Sequence, residues 1–140
     1  MKKTIITFIA LAGLFSISTR AELAVIVAPS TDIDSISIEQ LQRLYLHKAN
    51  RFPNGVRLLP VDQKTGSPLQ LEFAEKTLGK SATELSEYWS RRMFSGKGHP
   101  PRQYKDDTEV LQQVAESEEM IGYVDATSVN DSVKVILLIP

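Results

Sequence analysis

The run Leu58-Leu59-Pro60-Val61-Asp62-Gln63-Lys64-Thr65-Gly66-Ser67-Pro68-Leu69-Gln70-Leu71-Glu72-Phe73 decides how the rest of the chain is read. Its apolar start has the pattern of a strand, Asp62 to Gly66 that of a turn, and Ser67-Pro68 that of a helix start. Ser67 suits the N-cap, where its hydroxyl accepts from an otherwise unpaired backbone N–H, and Pro68 suits the first helical position, where a missing N–H costs nothing. Gln70, three residues past Ser67, completes the pattern of a capping box. A helix N-terminus carries unpaired N–H groups and a partial positive charge, so a small anion can be held there. Gly66 lets backbone approach such a ligand, while Lys64, Thr65 and Ser67 add side-chain donors. Strand, turn and capped helix is also ordinary α/β punctuation, and both readings stand at this point.

Before this stretch, Lys2 and Lys3 lead an apolar run from Ile5 to Ile17 that is short for a bilayer, and Thr19-Arg20-Ala21 offers small residues at a cleavage position. Residues 1–21 are therefore expected to be a cleaved secretion signal, which places the protein in the periplasm. Removing Lys2, Lys3 and Arg20 leaves 13 of the 16 basic residues against 17 acidic ones, a net charge near −4. Such a balance argues against nucleic acid as a partner. The chain has no Cys, which excludes a lipoprotein anchor, disulfides and thiol chemistry. Residues 22–140 are one domain's worth of chain, and their apolar end, Val133 to Ile139, is only of strand length.

Leu23 to Ala28 is continuously apolar, the signature of a strand covered on both faces of an α/β sheet. Pro29-Ser30-Thr31-Asp32 follows as a polar loop, and Ser30 and Thr31 are a second set of small donors after a strand. Ser37 caps a helix with Gln40 three residues on, and Ile38, Leu41, Leu44 and Tyr45 recur at helical spacing. The helix opened by Ser67 should run from Pro68 to about Leu78 and stop at Gly79. Ser81-Ala82-Thr83-Glu84 opens another, with Leu85, Tyr88, Trp89 and Met93 on adjoining faces. Phe94 to Arg102 breaks all periodicity. A last helix starts at Asp107 or Thr108 with Val110, Leu111 and Val114 buried, and Met120 to Val124 and Val133 to Ile139 close the chain as strands.

Catalytic chemistry finds no constellation. No Gly-x-Ser-x-Gly elbow is present, nor a Walker or dinucleotide glycine pattern. Glu72, Glu75, Glu84 and Glu87 fall on helix faces where solvated charge is expected. His47 and His99 lie in separate loops, so no metal site is expected, and no cofactor. The expectation is a non-enzyme.

The helix Ile38 to Lys48, then Phe52-Pro53-Asn54-Gly55, Pro60-Val61, Thr65-Gly66-Ser67 and finally Ile121-Gly122-Tyr123-Val124, taken in this order, resemble the phosphate-binding periplasmic proteins of ABC transporters. The order covers nearly all of residues 22–140. Where that family has an Arg before its phosphate loop and Gly-Thr after the Ser, this chain has Gln63-Lys64 and Pro68-Leu69. The resemblance implies a single lobe of the periplasmic-binding-protein type II fold, α/β, with a mixed sheet and helices on both faces. It further implies a small phosphate-like anion as ligand and a membrane transporter or sensor as partner. The residues expected at the ligand are Ser30, Thr31, Lys64, Thr65, Gly66 and Ser67. An interaction module that keeps the fold and binds a protein instead is the competing reading.

Overall fold

Strand β1, Leu23–Val27, is buried at every position, with Leu23, Val25 and Val27 in one core and Ala24 and Ile26 in another. Burial on both faces is why the stretch is uniformly apolar and does not alternate. The computed structural model describes residues 22–52 and 54–140, and the expected signal therefore lies outside the described residues.

Among the described residues, β1 joins β2 (Leu59–Gln63), β3 (Arg102–Tyr104), β4 (Met120–Asp125) and β5 (Lys134–Ile139) in one five-stranded sheet of order β3-β2-β4-β1-β5. β2 is parallel to β3 and β4, whereas β1 is antiparallel to β4 and β5. The sheet is mixed, as the resemblance implied. Because β1 runs against the others, its C-terminal Val27 pairs with Ile121 near the start of β4. The loop after β1 thus emerges at the opposite end of the sheet from the loop after β2.

Helix α1 (Ile38–Tyr45) and helix α2 (Pro68–Phe73) cover one face, contributing Leu41, Leu44, Tyr45 and Phe73 to the core around Leu23, Val25 and Tyr123. Helix α3 (Ala82–Phe94) packs Leu85 and Trp89 against Leu46 and Ala74 as an outer layer. Helix α4 (Asp107–Ala115) covers the other face with Val110, Leu111 and Val114 over Ile26, Val61 and Val124. Its close approach needs Gly122, where an added Cβ would lie 3.0–3.1 Å from methyls of Val110, Val114 and Val61.

The expected caps form at Ser37 and Ser81, both as full capping boxes. Four details differ from the sequence reading. Ile38, at the first position of α1, remains 37 % exposed and does not face the core. The helix from Pro68 is α only to Phe73 and turns π over Ala74–Leu78 before ending at Gly79 in the left-handed conformation. Arg102, taken as the end of a loop, begins the short edge strand β3. Gln70 does not close a box on Ser67, because its side-chain oxygen accepts from the Gly66 N–H instead, at 3.1 Å.

β2 and β4 pair through Leu59 with Met120 and Pro60 with Ile121. Past Pro60, which has no N–H to give, side chains take over. The Tyr45 hydroxyl lies 2.7 Å from the Val61 carbonyl and 3.3 Å from that of Ile121, and Gln63 Nε2 donates to the Tyr123 carbonyl at 3.0 Å.

Candidate functional site

The loop from Lys64 to Ser67 is a turn closed by the Ser67 N–H on the Lys64 carbonyl at 3.0 Å. Gly66 occupies its third position with φ +83°, and nothing lies within 4 Å of where a Cβ would be. The glycine is therefore required by backbone conformation, not by crowding. The two backbone N–H groups between Lys64 and Ser67 are engaged as well. Thr65 N–H donates to Gln103 Oε1 at 3.1 Å, and the Gln103 amide donates in turn to the Thr65 hydroxyl. The Gly66 N–H is taken by Gln70, and the Ser67 hydroxyl accepts from the Gln70 N–H at 3.4 Å. Gln103 of β3 and Gln70 of the adjoining helix thus hold the N–H groups of Thr65 and Gly66, while the Thr65 and Ser67 hydroxyls accept and keep their own protons to donate.

Beyond the loop, a cleft of about 530 Å³ opens between the start of α2 and the start of α4. Of the six expected ligand residues, Ser67 lines it, while Lys64, Thr65 and Gly66 stand exposed beside it. Ser30 and Thr31 are not brought to it. Thr31 is buried at the far end of the sheet, where its hydroxyl donates to the Glu118 carbonyl at 3.0 Å and its own carbonyl accepts from Lys134 Nζ at 2.7 Å. Strand direction separates the two loops, and local sequence does not encode it.

The cleft is rich in carboxylates, each with a structural partner. Asp107 accepts from Gln63 Nε2 at 2.8 Å and from the Ser128 hydroxyl at 2.7 Å. Asp106 caps α4, accepting from the Glu109 N–H at 3.0 Å. Asp125 accepts from the Thr127 N–H and hydroxyl at 2.9 and 2.7 Å, and Glu72 pairs with Lys76 at 2.6 Å. Lys105 is the basic residue of the lining. Sequence reasoning missed Gln63, Asp107 and Ser128 as a group. The one local sign of it was an acidic residue at the start of a helix.

Asp62, which the sequence places just before the turn, points away from the cleft. It is buried, accepting from the Tyr123 hydroxyl and, at 2.9 Å, from the Gln63 N–H. Burial pushes its carboxyl up to about 6, against the two hydrogen bonds, which lower it. Tyr123 stacks on Phe73 at 3.8 Å between ring centres, and Tyr45 packs on both rings. Burial, with the Asp62 charge adding to it, holds the hydroxyls of Tyr45 and Tyr123 well above the ordinary tyrosine range.

The arrangement can be set against solved structures. An ABC-type phosphate transport receptor from Vibrio cholerae superposes with a TM-score of 0.65 at 17 % identity, over 83 % of this chain and 46 % of the receptor. The chain has the α/β fold of the matched part of these receptors. A phosphate ABC transporter substrate-binding protein from Clostridium perfringens, solved with bound phosphate, gives 0.65 at 20 % identity over 83 % and 45 %. PstS from Borrelia burgdorferi gives 0.62 at 14 % identity over 83 % and 47 %. The chain thus spans slightly less than half the length of the receptors it matches. No family model matches the sequence, and no curated protein matches it. Among the described residues no helix is long and apolar enough to cross a membrane.

Proposed function

We propose that this protein is an exported, non-enzymatic solute-binding lobe of the phosphate-receptor type, taking a small oxyanion at Lys64, Thr65, Gly66 and Ser67. One observation carries the reading. The parallel strands β2 and β3 deliver their C-terminal ends, and the starts of α2 and α4, to a single cleft at Ser67. Ligands of open α/β sheets collect at that end. The carboxylates around the cleft favour an anion that still bears a proton, since Asp107 or Asp125 can accept a hydrogen bond from hydrogen phosphate and only repel sulfate. The partner that this reading implies is a membrane transporter or sensor.

The test is thermal unfolding of the purified protein at low salt against phosphate, sulfate, nitrate and small carboxylates. A ligand that binds the native state raises the melting temperature saturably. Phosphate is expected to do so, with the shift lost in Ser67→Ala. A melting temperature that no anion moves would reject the reading.

A second reading, an adaptor that binds a protein and no solute, is favoured by the internal closure of the loop donors and by Phe94, which is 99 % exposed at the end of α3. In that case no anion shifts the melting curve, and Phe94→Ala removes partner binding.

A further inference from the structure

The chain's two histidines, expected to be apart in separate loops, face each other across the mouth of a second cleft of about 300 Å³ at the opposite end of the sheet. Their ring centres are 6.5 Å apart at a near-perpendicular angle of 81°. Three features prepare the pair. His47 follows the C-cap of α1 with φ 57°, the one non-glycine residue with positive φ among the described residues. Glycine is the ordinary occupant of that position, and an imidazole held there in an unfavourable backbone conformation points to a use for the side chain. Gly98 clears the space for it, since a Cβ at Gly98 would lie 3.1 Å from His47 Nδ1. His99 Nδ1 lies 3.0 Å from the Pro100 carbonyl. As the donor of that bond, Nδ1 carries the ring proton, which leaves Nε2 as the free lone pair, the outer-shell arrangement that metal-ligating histidines show.

We propose that His47 and His99 form a two-histidine site for a first-row transition-metal cation of the Zn²⁺ or Cu²⁺ type. Imidazole nitrogen selects such ions over Mg²⁺ and Ca²⁺, which take oxygen. With metal–nitrogen bonds of about 2.1 Å, two imidazoles on one ion have ring centres about 5.5 Å apart in a tetrahedral arrangement and about 6.5 Å apart in line. In distance the rings need to close by about 1 Å, and side-chain rotation of two exposed residues would turn their nitrogens toward one ion. Among the described residues no third His, Asp or Glu completes a cluster, so water or a partner fills the remaining positions. The bound ion ties the loop at Gly98 to the end of α1 and closes the mouth of a cleft lined by Tyr45, Pro60, Trp89 and Pro101. This site lies at the other end of the sheet from Ser67 and does not depend on the anion reading.

The test uses protein purified without a histidine tag, stripped with chelator, and titrated with Zn²⁺, Cu²⁺, Mg²⁺ and Ca²⁺. Zn²⁺ is expected to raise the melting temperature saturably by at least about 5 °C at one ion per chain, with no response to Mg²⁺ or Ca²⁺. Cu²⁺ is expected to quench the single tryptophan, Trp89, which lines the same cleft. His99→Gln removes both responses. His47→Gly removes them as well, yet raises the melting temperature of the metal-free protein by relieving the left-handed residue, so lost binding cannot be mistaken for lost folding. A Zn²⁺ shift that survives either substitution, or no shift in the unmodified protein, overturns the proposal.

Discussion

The hydroxyl of Tyr123 donates to the carboxylate of Asp62 from 61 positions further along the chain, inside the aromatic core formed with Tyr45 and Phe73. A charge in that core is unfavourable, and the pair makes the molecule's stability depend on pH. The unfolded carboxyl titrates near 3.8 and the folded one near 6. Below the lower value both states hold the proton and nothing is lost. As pH rises between the two, the unfolded chain releases its proton first, so stability falls, by about 3 kcal/mol in total, and stays lower above pH 6. Asp62→Asn keeps an acceptor for Tyr123 and has no charge to bury. Urea unfolding should find the variant more stable than the parent at pH 7.5, with the gap closing by pH 4; a constant gap would show that Asp62 is not the source.

At Gly122 the side chains of α4 lie directly against the β4 backbone. Gly122→Ala places a methyl against Val110, Val114 and Val61 at 3.0–3.1 Å, and overpacking of this kind costs about 1–3 kcal/mol. Combining it with Val110→Ala should recover part of the loss, because the two changes share one space. Additive losses in the double variant would contradict the packing argument.

The Tyr45 hydroxyl bonds to the Val61 carbonyl in the part of the sheet where Pro60 leaves the β2–β4 ladder open. Tyr45→Phe keeps the ring stack and removes that donor, at a cost of about 1–2 kcal/mol. Equilibrium denaturation measures it, and a change within a few tenths of a kcal/mol would mean that water replaces the phenol.

Gln103 holds both the N–H and the hydroxyl of Thr65. If those groups serve an anion, ligand and glutamine compete. Gln103→Ala should then tighten the phosphate response about fivefold, the equivalent of one hydrogen bond of about 1 kcal/mol. Titration followed by thermal shift reads this directly. An unchanged midpoint would remove Thr65 from the site.

The order of the elements apart from the edge strand β3, the caps at Ser37 and Ser81, the stop at Gly79, the doubly covered first strand and the buried face of α4 are all legible along the sequence. Each rests on interactions within a few residues or on a periodicity of burial, and one chain carries both in its local pattern. Strand direction is not of that kind. β1 enters the sheet antiparallel to β4, which sends Ser30 and Thr31 to the end opposite Ser67 and leaves two of the six expected donors away from the cleft. The closing of the loop is likewise a tertiary event. Parallel register sets Gln103 beside Asp62 and within reach of Thr65, and local propensity gives no sign of a partner 38 residues away. Asp62 turns inward because the far strand supplies Tyr123, and His47 and His99 meet because α3 returns the chain to the end of α1, where Arg92 donates to the His47 carbonyl. Local chemistry chose the elements of this protein. Contacts between residues distant in sequence, whose free energy appears only when the sheet closes, chose which of its polar groups face a ligand.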